Sequence, residues 1–123
     1  MAKFTPSNTA TPELEITNIE SDTIVETGGG SKTAGSLTQS ARKGSITIDL
    51  ATNSCNIAGN STYTITLTNS FCDTDSVVAV SSTSATSVTV NTVTDSGCKL
   101  VVNNQGAGAS DITANFTINY VIL

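Results

Sequence analysis

Strict alternation of apolar and polar residues between positions 112 and 122 constrains the fold of this chain more than any other feature. Every second residue of this segment is apolar, and four of the five residues between them are Thr or Asn. A β-strand places successive side chains on opposite faces, whereas an α-helix would distribute this pattern around its circumference. The segment is therefore predicted to be a half-buried strand of an antiparallel sheet. Its apolar positions are Ile112, Ala114, Phe116, Ile118, Tyr120 and Ile122.

Shorter apolar runs recur along the rest of residues 44–123 and predict five further strands. Turn-forming residues separate them, most clearly at Asp95-Ser96-Gly97, which predicts a tight hairpin. Ser, Thr and Asn make up about 40% of the chain, and charged residues only 12%, against roughly 25% in ordinary globular proteins. Short strands at this spacing predict an all-β domain, an antiparallel β-sandwich of jelly-roll or Greek-key type. The predicted strands are 45–50, 63–68, 77–80, 88–93 and 98–102.

Residues 1–43 depart from this pattern and are predicted to form an extended N-terminal arm. Apolar residues are too sparse there to build a separate core, and residues 28–40 have the composition of a flexible linker. Alternation over 13–17 predicts one short strand. Four of the five basic residues fall in this segment, so we expect the arm to become ordered on a partner. A disordered tail, or edge strands of the same domain, are the alternatives. The candidate partner-binding residues are Phe4, Leu14, Ile16, Lys32, Arg42 and Lys43.

Residue types that carry catalysis are scarce. The chain has no histidine, the commonest general base and metal ligand, and no glycine-rich loop of phosphate-binding spacing. We therefore expect no enzymatic activity and no cofactor. Asp73 and Asp75 have a spacing that could hold calcium, although such pairs more often solvate a turn. Cys55, Cys72 and Cys98 are expected to be reduced and buried, and a Cys55–Cys72 disulfide is the alternative for a protein released from the cell.

The acidic balance of the chain restricts its partners. A net charge of −5 and a pI near 4.2 argue against nucleic acid and against anionic membranes, since both require a basic surface. No apolar run is long enough to span a bilayer, and the first residues lack the apolar segment of a signal peptide. We therefore expect synthesis in a cytoplasm and a protein as the partner.

Residues 44–123 also resemble small structural proteins of tailed bacteriophages, including those that decorate capsids. The resemblance is carried by Gly44-Ser45-Ile46-Thr47, by the strands at 63–69 and 75–78, by a glycine-bearing loop and by the closing segment 114–122. It implies a capsid decoration or cement protein on the outer surface of a virion, which binds the major capsid protein and commonly forms a homotrimer. A phage fibre, tail or receptor-binding module is the alternative, and a bacterial adhesin or pilin-like module is a third.

Overall fold

The computed structural model describes residues 19–83, 87–105 and 108–123, and strands dominate these ranges. One short 3-10 helix, Ala51–Asn53, interrupts them, and no helix of the described ranges is long and apolar enough to cross a membrane. The expectation of an all-β protein is confirmed. The strands are β1 (Ile19–Val25), β2 (Gly30–Ser31), β3 (Ala34–Thr38), β4 (Lys43–Asp49), β5 (Cys55–Asn56), β6 (Ser61–Thr68), β7 (Val78–Ser82), β8 (Ser87–Thr94), β9 (Gly97–Asn104) and β10 (Phe116–Ile122).

Eight of these strands form two four-stranded sheets, and both sheets are mixed. Sheet I has the order β1-β4-β10-β7, and sheet II has the order β3-β6-β9-β8. β1 is parallel to β4 and β3 is parallel to β6, whereas the other pairs within the two sheets are antiparallel. β2 and β5 form a separate two-residue parallel pair. The expectation of purely antiparallel sheets is therefore wrong. The chain passes from β1 in sheet I to β3 in sheet II before it returns to β4, and strands joined by such a crossover can lie parallel.

Alternate residues of both sheets point inward and join one hydrophobic cluster. The inward side chains of β4 and β10 in sheet I are buried, as are those of β6 and β9 in sheet II. Burying one such side chain contributes roughly 1.5–3 kcal/mol, so the shared cluster holds the two sheets together. Its members from these strands include Ile46, Ile48, Tyr63, Ile65, Leu67, Leu100, Val102, Ile118 and Tyr120.

One tyrosine in each sheet packs against a glycine. Tyr120 of β10 pairs with Gly44 of β4, and a Cβ atom added to Gly44 would lie 2.5 Å from three atoms of the tyrosine side chain. In sheet II, a Cβ atom added to Gly35 would meet the Tyr63 hydroxyl. Both glycines therefore leave the space that a buried aromatic side chain fills.

The apolar pattern located the strands between residues 45 and 102. β4, β6, β7, β8 and β9 overlap the five strands predicted between 45 and 102, and the Asp95–Gly97 turn joins β8 to β9. The last strand is shorter than predicted: β10 begins at Phe116, and Ile112 forms only an isolated bridge with Ile57. The side chain of Asn115 turns toward the 3-10 helix, where its Oδ1 accepts hydrogen bonds from two backbone N–H groups.

Residues 19–38 form edge strands of both sheets. β1 lies outside β4, β3 lies outside β6, and the predicted boundary at Gly44 falls within β4. Residues 28–40, whose composition indicated a linker, contain β2 and β3. The strand predicted at 13–17 lies outside the described residues, as do the candidate partner-binding residues Phe4, Leu14 and Ile16.

Candidate functional site

Exposed apolar side chains gather at the end of the sheets where β4 begins and β10 ends. Phe71, Val77 and Leu123 expose 37%, 61% and 71% of their surfaces there. Backbone hydrogen bonds join the chain segments that carry them. The Leu123 N–H donates to the Val77 carbonyl at 2.8 Å, and the Ile122 N–H donates to the Arg42 carbonyl at 2.7 Å. We refer to Arg42, Phe71, Val77 and Leu123 as the end surface.

The Arg42 side chain contacts the aromatic ring of this surface. Its guanidinium carbon lies 5.2 Å from the centroid of the Phe71 ring, within the range of about 6 Å for a cation–π contact. The guanidinium group also carries five N–H donors in a planar arrangement. The pair therefore offers a partner an apolar face beside a donor for carboxylate or carbonyl oxygens.

A buried asparagine holds the loop that carries Phe71. Asn69 is fully buried, its Oδ1 accepts a hydrogen bond from the Phe71 N–H at 2.9 Å, and its Nδ2 donates to the Ala41 carbonyl at 2.7 Å. Ala41 immediately precedes Arg42, so one side chain fixes the backbone of both members of the cation–π pair. The buried Asn69 amide thus fixes the positions of Arg42 and Phe71 in the end surface.

A hydrogen-bonded network continues from Asn69 into the core. Asn69 Nδ2 also donates to the Tyr120 hydroxyl at 3.0 Å, and that hydroxyl donates to Oε1 of Gln39 at 2.8 Å. Burial raises the pKa of Tyr120 to about 12, so the hydroxyl keeps its proton at neutral pH and remains a donor. Gln39 is buried as well. The network therefore links β10 of sheet I to the segment that follows β3 of sheet II.

A shallow depression of about 270 Å³ adjoins the end surface on the outer face of sheet I. Ile19, Lys43 and Val121 lie in register across β1, β4 and β10, and Ala79 of β7 continues the row. Ile19 is half exposed, and Lys43 adds a positive charge to a mostly apolar lining. Ile19, where β1 begins, therefore lies at the same end of sheet I as the end surface.

The structure brings two of the predicted partner-binding residues together and separates a third from them. Arg42 belongs to the end surface, and Lys43 lines the neighbouring depression. Lys32 lies near the opposite end of the sheets, where its N–H donates to the Asn56 carbonyl beside β2 and β5. Lys32 therefore does not cluster with Arg42 and Lys43.

Sequence reasoning missed the apolar members of the end surface. Phe71 lies in a loop, Val77 precedes β7 and Leu123 follows β10, so no periodic pattern connects them. The available signal was the isolated aromatic residue in the polar stretch from Asn69 to Ser76, because a large apolar side chain within a polar turn is a candidate contact residue.

The acidic pair at 73 and 75 stabilises its own turn. The Asp75 N–H donates to Asp73 Oδ1 at 2.8 Å, and the Asp73 N–H donates to the Ser76 hydroxyl oxygen at 3.0 Å. Aspartate commonly bonds the backbone two residues further on in this way. Within residues 19–83, 87–105 and 108–123, no three Cys, Asp or Glu side chains form a cluster that could hold a metal ion.

Comparisons with known proteins return no relative of this chain. No family model, no curated protein and no solved structure matches it. The end surface is therefore interpreted from its own geometry.

Proposed function

We propose that the chain is a virion structural protein that decorates and stabilises a phage capsid by binding capsid subunits and sister copies. The observation that carries the proposal is the convergence, at one end of the domain, of exposed apolar side chains, the Arg42–Phe71 pair and the attachment point of residues 1–18. A partner that covers this end could contact the domain together with residues 1–18, the part of the predicted arm that lies outside the described residues. Two linked contacts bind more tightly than either alone, because the second forms within the complex.

The residue types of the end surface support a protein partner. Aromatic residues and arginine are enriched at the centres of protein interfaces, whereas lysine and acidic residues are depleted there. Val77 and Leu123 are each more than half exposed in the single chain, and grouped exposed apolar residues mark interaction sites. The sequence resemblance implies that the capsid shell is this partner.

The outward faces of the sheets support contacts between sister copies. β6 presents Thr64, Thr66 and Thr68 on its outward side, and the hydroxyls of Thr47 and Thr117 hydrogen-bond across sheet I at 3.1 Å. Hydroxyl side chains donate and accept hydrogen bonds without adding charge. They therefore add no repulsion between copies of an acidic chain that lie close together. Such faces suit the homotrimer that the resemblance implies.

The finer fold belongs to the same proposal. Two sheets whose inward faces share one hydrophobic cluster have the arrangement of a β-sandwich, and we assign this one to the jelly-roll or Greek-key type. An experimental structure of the purified protein tests the assignment through the strand connections.

Binding to capsids that lack the chain tests the function. Phe71→Ala removes the aromatic ring and the cation–π contact with Arg42. Val77→Ser removes an apolar side chain from the end surface, and Val25→Ser removes one of comparable exposure, 50% against 61%, from the opposite end of sheet I. In co-sedimentation assays we expect Phe71→Ala to weaken binding about 10–30-fold, Val77→Ser to weaken it less, and Val25→Ser to leave it unchanged. Equal behaviour of the two valine variants, or full binding by Phe71→Ala, would contradict the proposal.

Copy number separates the capsid function from the alternative. A decoration protein is expected at a ratio near one copy per major capsid subunit in purified virions, whereas a fibre, tail or receptor-binding module is expected at a few copies per particle. Quantitative mass spectrometry of purified particles measures this ratio. Absence of the chain from the particles would reject both functions.

A further inference from the structure

Two cysteine thiols meet in the core below the end surface. The side chains of Cys72 and Cys98 hydrogen-bond to each other, and their exposed fractions are only 2% and 4%. Cys72 lies in the turn that follows β6, and Cys98 is the second residue of β9. The two thiols therefore come from different parts of the chain.

Backbone hydrogen bonds hold these two segments together. Cys98 pairs with Leu67 near the end of β6, and the Asn69 N–H donates to the Ser96 carbonyl at 2.7 Å. The Cys72 N–H then donates to the Asn69 carbonyl at 3.1 Å. The turn that carries Cys72 is thus fixed beside the first residues of β9 without any covalent bond between them.

We propose that Cys72 and Cys98 form a disulfide when the protein meets a low-molecular-weight disulfide oxidant such as oxidised glutathione. The Cys72 thiolate attacks one sulfur of the oxidant, which forms a mixed disulfide and releases one glutathione thiolate. The Cys98 thiolate then attacks the Cys72 sulfur and releases the second glutathione. The two protein thiols lose two electrons and two protons, and the oxidant becomes two thiols.

The surroundings of Cys72 make it the first thiol to react. Phe71 and Asp73 on either side of it are exposed, so opening of this one turn gives the oxidant access to Cys72. Cys98 is held within β9, between β6 and β8. Burial raises the pKa of the Cys72 thiol and raises that of Cys98 to about 12, so we expect a slow reaction that depends on this opening.

Cys55 has a different neighbourhood and provides an internal control. Its Sγ donates to the Asn53 carbonyl at 3.6 Å, and the thiol lies close enough to Tyr63 to contribute to the raised pKa of that residue. Tyr63 and Leu67 are separated by about 13 Å along β6, at 3.3 Å per residue. The structure therefore favours Cys98 as the partner of Cys72 over the Cys55–Cys72 pairing left open by the sequence.

The disulfide would fasten the Phe71 loop to β9 covalently. It closes the chain between residues 72 and 98, and a cross-link of this kind stabilises a protein mainly by restricting the unfolded chain. We expect the melting temperature to rise by about 5–15 °C on oxidation. This inference does not depend on the partner assigned to the end surface.

Peptide mapping of the full-length protein tests the inference. Protein prepared in reductant is transferred to native buffer and incubated with oxidised glutathione, and the remaining thiols are then blocked. Trypsin leaves all three cysteines within residues 44–99, so cleavage before aspartate is used instead, which places them in fragments 49–72 and 95–110. Fragment sequencing of 49–72 assigns the cross-link to Cys55 or Cys72, and the Cys55→Ala variant removes the ambiguity.

We expect a Cys72–Cys98 cross-link, together with the rise in melting temperature, in the wild type and in Cys55→Ala. Neither is expected in Cys72→Ala. A cross-link that contains Cys55, a disulfide that forms only between molecules, or thiols that react only after unfolding in urea would overturn the inference.

Discussion

Removing one hydroxyl group, with the Tyr120→Phe substitution, tests whether the network below the end surface stabilises the fold. The Tyr120 ring stays in place against Gly44, so the substitution creates no cavity in the core. Oε1 of Gln39 loses the donor that lies 2.8 Å away, and Asn69 Nδ2 loses one of its two acceptors. Both side chains are buried, so water does not readily replace the lost partner.

The expected loss follows from these two groups, each of which loses a hydrogen-bond partner. A buried polar group without a partner destabilises a protein by about 1–3 kcal/mol. Asn69 Nδ2 keeps its hydrogen bond to the Ala41 carbonyl, so the Gln39 oxygen should dominate. We expect Tyr120→Phe to lower the free energy of unfolding by about 2–3 kcal/mol, a large part of the roughly 5–15 kcal/mol typical of a domain.

Urea denaturation followed by circular dichroism measures this loss. The slope of the free energy against urea should stay constant, so the loss should appear as a shift of the midpoint by about 1 M or more. Tyr63→Phe is the matched control, because the Tyr63 hydroxyl donates to Glu26, a half-buried carboxylate that water can also reach. We expect the control to lose about 1 kcal/mol or less. A loss below about 0.5 kcal/mol for Tyr120→Phe would refute the reasoning.

Three further predictions follow from buried groups of the fold. Gly44→Ala should lower stability by about 1–3 kcal/mol in thermal unfolding, because the added Cβ meets the Tyr120 side chain; an unchanged melting temperature would contradict that packing. Raising the pH from about 9 to 12 should progressively lower stability in urea titrations. In the folded protein the pKa of Cys98 is raised from 9.0 to about 12, and that of Tyr120 from 10.0 to about 12. The unfolded chain therefore loses these protons first, and each group that has done so lowers the free energy of unfolding by about 1.4 kcal/mol per pH unit. Constant stability over this range would argue against their burial. Asn104→Ala should destabilise the protein by about 2–3 kcal/mol in the same assay, since the two N–H groups of Asn104 Nδ2 are shared among three backbone carbonyls. Asn103 is adjacent and less buried, and Asn103→Ala should change stability by less than about 0.5 kcal/mol. Equal losses would show that the buried amide has no special role.

The inner strands could be predicted from the sequence because side-chain burial fixes them. β4, β6 and β10 each bury every second residue, so apolar and polar residues alternate along their sequences. β1 buries almost no side chain: Ile24 is half-buried, as is Glu26 just after the strand. Glu20 and Asp22 interrupt any apolar pattern along it. Its place in sheet I depends on backbone pairing with β4, which local sequence does not reveal.

The end surface was only partly predictable for a related reason. Arg42 and Lys43 could be predicted as partner-binding residues because positive charges are rare in this chain. Phe71, Val77 and Leu123 come from three separate segments that meet only through backbone hydrogen bonds and the network around Asn69. Their grouping is a property of the tertiary structure, and no spacing within the sequence predicts it.

The position of β10 determines when sheet I can be completed during synthesis. β10 follows every other described strand in the sequence, yet it lies between β4 and β7 in the middle of sheet I. β8 and β9 are consecutive and can pair as soon as both leave the ribosome, whereas β4 and β7 have no shared neighbour until residues 116–122 have emerged. The segments that carry Arg42 and Val77 are joined through the backbone of Ile122 and Leu123, so the end surface cannot be complete until these residues have also been synthesised.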